Sequence, residues 1–274
     1  MKTHTFGTST FDKPVEYCVD YALAHNLKHF EINLAPGHSH LHTFTPARIL
    51  KLRDLARLHG FSFSFHIPSS LNIGHSVPYF RRRHMHYVAR SIAVGAELGI
   101  THLTLHLGNV AGHTAMPYFR RYALSKAVSS LKTLTQLCIR NQIVLAVENS
   151  ARLYHNSETE MLGDNLSDFV TLFRQINSPW LGFCLDIGHA NTNEGALDYI
   201  EHLKDKIRCI HFHDNNGMDD EHLEIGHGTV NWQEVIQALK KINYRGPFIS
   251  ECFKTECHFA TARFLQYWRQ QTIQ

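Results

Sequence analysis

The alternation of short apolar runs with helical segments limits the folds open to this chain. Between the runs, apolar residues recur at helical spacing, as in "ARILKLRDLARLHG" and "YALSKAVSSLKTLTQLCIRN". Strands that alternate with helices form parallel sheets, and eight strands close a TIM barrel. We therefore predict an α/β fold, a single (β/α)8 TIM barrel, with an open doubly wound sheet as the alternative. The eight β-like runs are residues 3–9, 27–34, 61–67, 101–107, 142–148, 180–186, 206–213 and 246–251.

Several predicted helices end at residues that commonly terminate helices. Gly60, Gly99 and Asn141 each stand just before a predicted strand, and glycine and asparagine are common helix stops. No stretch rich in serine, glycine or proline divides the chain, and its 274 residues are a normal length for one barrel. We predict one domain over residues 1–274.

Charge and cysteine usage exclude some classes of protein. The net charge is only +3 with neutral histidine, so a strongly basic nucleic-acid surface is absent. None of the six cysteines stands in a C-x-x-C pair, which indicates reduced, mostly buried thiols. The start of the chain lacks the apolar run of a signal peptide, and no stretch approaches the length of a membrane span. These features predict a cytoplasmic protein without membrane contacts.

Polar side chains stand at the carboxyl ends of six consecutive predicted strands. In a TIM barrel these ends surround one mouth, where active sites are built. A single histidine at such a place is more often structural than a ligand, but six strands in a row are hard to explain by helix capping. The residues are His66, His106, Glu148, Asp186, His211 with His213, and Glu251.

Several carboxylates in one mouth would repel each other, and a cation removes that conflict. Mixed imidazole and carboxylate ligands suit zinc, and also manganese or iron. Past the strand ends, His189 follows Asp186 by three positions, and Asp220 and His222 lie in "HFHDNNGMDDEHLEIGHG" at 211–228. These three could support the ligands from outside or bind another metal. The residues alone therefore predict a metal site at the mouth.

The motifs that carry these residues resemble a known superfamily. "FHIP", "LHLG", "AVENS", "CLDIGHA", "HFHD", "DEHLEIGHG" and "SEC" occur in order, and the similarity covers roughly residues 27–268. The set resembles the xylose isomerase-like TIM barrels, which include endonuclease IV (the family 2 apurinic endonucleases) and many sugar-phosphate isomerases and epimerases.

The resemblance to endonuclease IV implies three metals. His66, His106 and Glu148 would hold the first, and His189, Asp220 and His222 the third. The second would take Glu148, as a bridge, with Asp186, His211 and Glu251. The isomerase and epimerase relatives usually keep only the metal that corresponds to this second one, and there His213 competes with His211.

The sequence differs from endonuclease IV in two places, and both differences argue against duplex DNA as the substrate. Endonuclease IV has a tyrosine three residues after the first histidine, where this chain has Ser69. The loop after the second strand, "FEINLAPGHSHLHTF", carries a strand-terminal Glu31 that is more similar to the sugar enzymes. We therefore expect a small sugar- or phosphate-containing substrate.

Two reactions remain open, and a non-catalytic metal-binding or regulatory barrel is a third interpretation. A cluster of two or three divalent metals, zinc first, favours hydrolysis of a phosphodiester or related bond, and this is the reaction that we expect. The alternative is a sugar or sugar-phosphate isomerase or epimerase, in which one metal polarises the substrate and two carboxyl groups move a proton. In either reaction Glu148 and Glu251 are the expected catalytic residues.

Overall fold

The structure, a computed structural model, describes residues 5–9, 13–35, 37–111, 117–153 and 158–252, together with residues 263, 264, 266 and 268. The barrel strands are β1 Phe6–Ser9, β2 His29–Asn33, β3 Ser62–His66, β4 His102–Leu105, β6 Val144–Glu148, β8 Leu181–Asp186, β9 Ile207–Phe212 and β10 Phe248–Ser250. These eight parallel strands close into a barrel in the order β1-β10-β9-β8-β6-β4-β3-β2, which confirms the predicted fold.

Helices surround this barrel and pack on its outer face. The helices are α1 Val15–Ala24, α2 Pro46–His59, α3 Pro78–Leu98, α4 Pro117–Asn141, α5 Leu166–Gln175, α6 Ile187–Asn191, α7 Ala196–Leu203 and α8 Trp232–Lys241, with a 3-10 turn at Leu41–Thr43. Helix α2 shows how the sequence sets their limits. The side chain of Thr45 caps its first turn by accepting a hydrogen bond from the Arg48 amide, and Gly60 ends it in the left-handed conformation at φ 64°.

Two short strands were not predicted. Strands β5 Asn109–Ala111 and β7 Thr159–Met161 pair antiparallel above the barrel wall. Each has three residues without apolar alternation, so neither gives a strand signal in the sequence. Arg120 links this pair of strands to α5, because its guanidinium group lies 2.6 Å from Glu160 and 2.7 Å from Asp168.

The described cysteines are buried and free, as the sequence predicts, and Cys257 lies outside the described residues. Within the described part of the chain, no helix combines the length and the apolar character needed to cross a membrane.

Candidate metal centre

The strand ends bring the predicted polar residues together at the mouth of the barrel. His66, Glu148 and Asp186 are the last residues of β3, β6 and β8, while the others lie within β9 or directly after β4, β9 and β10. All are at most 8% exposed, so their charges and polar atoms depend on each other rather than on water. The residues at the mouth are His66, His106, Glu148, Asp186, His211, His213 and Glu251.

Glu148 is the centre of this arrangement. Its Oε2 atom lies 2.9 Å from His66 Nε2 and 3.2 Å from His106 Nε2. Its Oε1 atom lies 3.1 Å from His211 Nδ1. A fully buried carboxylate with imidazole nitrogens at both oxygens is arranged as a bridging ligand would be. The first predicted ligand set, His66, His106 and Glu148, is one of the groups whose ligand atoms fall within 4.8 Å of one another.

A second group contains three carboxylates and one imidazole. Ligand atoms of Glu148, Asp186, His211 and Glu251 all lie within 4.8 Å of one another, and His211 Nδ1 is 3.4 Å from Glu251 Oε1. The Asp186 Oδ2 atom is buried without a hydrogen-bond partner among the described residues. A divalent cation would satisfy this atom and offset the repulsion of the three carboxylates, so the residues fit such an ion. His211, rather than His213, belongs to this group.

A third group lies toward the outside of the mouth. Asp220 Oδ2 is 3.2 Å from His189 Nε2 and 3.1 Å from His222 Nε2. His213 joins them, with its Nε2 atom 3.5 Å from Asp220 Oδ1. The structure thus adds His213 to the predicted set of His189, Asp220 and His222.

Backbone carbonyl groups orient three of these histidines. In each, Nδ1 is within hydrogen-bonding distance of a carbonyl oxygen and therefore donates, which turns Nε2 toward the carboxylates of the mouth. A hydrogen bond from the ring nitrogen that does not bind the metal fixes the ring orientation and the tautomer of a metal-binding histidine. The pairs are His66 with Ile67 O at 2.8 Å, His189 with Asn149 O at 2.8 Å, and His222 with Glu251 O at 2.7 Å.

The two expected catalytic carboxyl groups have pKa values displaced in opposite directions. Burial raises the pKa of Glu148, but the charges of His106, His211 and His66 outweigh it and hold this pKa well below its usual range. Burial raises the pKa of Glu251, and the negative charge of Glu148 adds to it against the opposing effect of His211. The pKa of the neighbouring His66 is also shifted. Burial alone would lower this pKa, but the negative charge of Glu148 outweighs burial and raises the pKa to about 9. Carboxyl pairs separated in this way can divide acid and base roles.

Asp214 holds the loop that carries Asp220 and His222, and the sequence did not single it out. Its buried carboxylate accepts hydrogen bonds from the Trp232 indole at 2.9 Å and from the amides of Gly226 at 2.8 Å and Val230 at 3.2 Å. Asn149 is a second unpredicted support, since its Oδ1 accepts a 2.8 Å hydrogen bond from the Asp186 amide. Each residue directly follows a predicted site residue, in "HFHD" and "VEN". That adjacency is the sequence feature from which their supporting roles could have been predicted.

One predicted position needs correction. Glu31 does not end a strand, because β2 continues to Asn33. It is fully buried one layer below the mouth, where its Oε2 atom accepts hydrogen bonds from Ser64 at 2.9 Å and Thr104 at 3.1 Å. The predicted strand-terminal position was wrong because the apolar-polar alternation of "HFEIN" does not show where the strand stops. Glu31 nevertheless joins His66, His211 and Glu251 in a group whose ligand atoms all lie within 4.8 Å of one another, so its place as an additional site residue stays a prediction.

Comparison with known proteins places the chain in a family. A family model described as xylose isomerase-like TIM barrel matches residues 19–270. The chain belongs to this family. Within the family, an uncharacterized protein of Methanocaldococcus jannaschii is 29% identical over 209 residues, which cover 75% of this chain and 69% of that protein.

Other family members carry names that describe sugar chemistry. A ketose 3-epimerase of Arthrobacter globiformis is 25% identical over 66% of this chain and 59% of its own length. A D-psicose 3-epimerase of Enterocloster bolteae is 29% identical over 47% of this chain and 40% of its own length. A solved structure described as a D-tagatose 3-epimerase-like protein superposes with a TM-score of 0.83 at 26% identity and covers 97% of both chains.

These relatives contradict the expected hydrolase activity. Epimerases, not hydrolases, are the named enzymes among the relatives above, so the prediction of an endonuclease IV-like hydrolase was wrong. The error has a physical reason. The ligands that collect at the mouth fix a place for cations, but they leave open which bond of the substrate lies beside those cations.

Proposed function

We propose that this chain is a divalent-metal-dependent epimerase that inverts carbon 3 of a ketose. The observation that carries the proposal is the placement of Glu148 and Glu251 on the same nitrogen of His211, at 3.1 and 3.4 Å. The names of the ketose 3-epimerase relatives supply the substrate class.

In this proposal Glu148, Asp186, His211 and Glu251 hold the cation that takes part in the reaction. When bound, a divalent cation polarises the ketose carbonyl and so acidifies the neighbouring C–H group. Epimerisation then needs one group to remove the proton from carbon 3 and another to return a proton to its opposite face. Glu148 serves as the carboxylate for one face of the sugar, and Glu251, which lies near the same His211 nitrogen, carries the proton for the other face. Loss and return of one proton leave the atoms of the sugar unchanged, so neither water nor phosphate is consumed.

The activity test is a panel of ketohexoses and ketopentoses incubated with protein loaded with manganese, zinc or iron. We expect the carbon 3 epimer of at least one ketose to accumulate until the two sugars reach equilibrium from either side. A panel of phosphodiesters and an abasic DNA duplex serves as the comparison. Cleavage of a phosphodiester without epimerisation of any ketose would refute the proposal.

The third group suggests a second cation at the mouth. We propose that His189, His213, Asp220 and His222 hold it, since Asp220 is the only carboxylate of this group and contacts all three histidines. Asp220→Asn keeps the shape but removes the charge, so we expect the metal content to fall by about one ion per chain while the inner ion stays. The measurement is elemental analysis of Asp220→Asn beside the control variant Asp219→Asn, which makes the same chemical change at the exposed neighbouring residue. Equal metal content in the two variants would contradict this second site.

A further inference from the structure

The interior of the barrel below the mouth contains two thiols that the proposed reaction does not use. Barrel interiors are usually filled with bulky branched aliphatic side chains. Here Cys184 on β8 and Cys209 on β9 are directly paired across the two strands. Both are fully buried and free, and they form an inner cluster with Ala146 and Ile249.

One edge of His211 faces these thiols. Its Nδ1 atom is directed at Glu148 and Glu251 in the mouth, which leaves Nε2 for the layer below. One ligand atom each of Cys184, Cys209 and His211 lie within 4.8 Å of one another. A cation can span such spacings with small rotations of the side chains, because zinc–sulfur and zinc–nitrogen bonds are about 2.3 and 2.0 Å long.

Three other buried polar atoms of this layer lie close together. His211 Nε2 and Glu31 Oε1 lie 2.9 Å apart as an ion pair, and His102 Nε2 lies 3.8 Å from Glu31 Oε2 and beside Cys209. None of the three meets the geometry of a hydrogen bond to a described residue. Buried polar atoms are costly unless they are well paired, and a cation would give this cluster a further partner.

We propose that Cys184, Cys209 and His211 Nε2 hold a thiophilic cation such as Zn²⁺ beneath the mouth. Two thiolates and one imidazole are a preferred zinc donor set. With both cations bound, His211 would lose its N–H proton to solvent and bridge the two layers as an imidazolate, with one ring nitrogen for each cation. The lower cation fixes the ring that the mouth uses, so it is a positioning site rather than a reacting one.

A cavity at the opposite end of the barrel lies on the far side of His102 from the mouth. Its volume is about 260 Å³, and its lining includes His29, Ser62, Thr101 and His102, with Arg208 and Arg245. His102 therefore belongs both to this cavity and to the layer of the thiols.

Absorption spectroscopy of the full-length protein loaded with Co²⁺ tests the proposal. Thiolate ligands give cobalt an intense near-ultraviolet charge-transfer band, which imidazole and carboxylate ligands do not give. We expect this band in the wild-type protein and in Asp220→Asn. We expect it to be lost in the double variant Cys184→Ser, Cys209→Ser and to be retained in Cys138→Ser, which alters a buried cysteine of α4.

The spectrum of the wild-type protein alone shows whether Cys184 and Cys209 bind the cation, even if the double variant does not fold. Visible cobalt bands without the near-ultraviolet band would show a loaded mouth and an empty thiol layer, and would overturn the proposal. Retention of the band in a folded double variant would overturn it as well. The result is independent of the proposed reaction: a thiolate band without epimerisation refutes only the reaction, and epimerisation without the band refutes only the thiol site.

Discussion

Replacing Glu148 with glutamine is expected to lower kcat for ketose epimerisation by about 10³-fold, within the range that positioned acid–base groups contribute. The side chain of Glu148 contacts His66, His106 and His211 and belongs to two of the ligand groups at the mouth. Glutamine has the same shape but cannot carry the negative charge or accept the proton. The variant should therefore fold and yet lose both a cation ligand and a proton acceptor.

The measurement is kcat of the metal-loaded variant, together with its circular dichroism spectrum. Glu201→Gln on the exposed face of α7 makes the same chemical change far from the mouth and should leave kcat unchanged. If Glu148→Gln kept its activity and lost only thermal stability, Glu148 would be a structural residue of the barrel rim, and the proposed role would be wrong.

Removal of the metal is expected to abolish epimerisation and to destabilise the fold. The mouth buries Glu148, Asp186 and Glu251 in one group, and without a cation only neighbouring imidazoles balance their charges. A ligand present at 100 times its Kd stabilises the folded state by about 2.7 kcal/mol. For a chain of this size that free energy corresponds to a fall in Tm of roughly 5–10 °C on chelation.

Activity and Tm should be followed through chelation, dialysis and reloading with each of manganese, zinc and iron. Both quantities should return with at least one of the three ions. Glu148→Gln is the matched comparison, since its Tm should respond less to chelation than that of the wild-type protein. Full activity after exhaustive chelation would contradict metal dependence.

The barrel could be predicted from the sequence because strand-like and helical segments alternate regularly along the chain. Eight alternations of strand and helix are a global pattern, and Gly60 and Gly99 mark helix ends by a local requirement for positive φ. The convergence at the mouth was predictable for the same reason, because parallel strands place their carboxyl ends on one rim. It followed that His66 and Glu148, 82 residues apart, should meet.

Other parts of the site have no such pattern. Strands β5 and β7 are too short for a periodic signal. Asp214 accepts hydrogen bonds from amides that come near it only once the loop has folded. The depth of Glu31 below the mouth depends on the length and register of β2, where it pairs with Ser64 of β3. The choice between hydrolysis and epimerisation depends on how a substrate lies against the cation, which is a property of the pocket rather than of the ligand list.

Proton exchange at carbon 3 tests the central proposal most directly. Metal-loaded protein is incubated with a ketose in D₂O, and the product is analysed by NMR and mass spectrometry. If Glu148 and Glu251 serve opposite faces of the sugar, the returned proton comes from solvent, and the epimer carries one deuterium at carbon 3. An epimer without deuterium at that carbon, or no epimer from any ketose while a phosphodiester is cleaved, would contradict proton transfer between these two carboxyl groups.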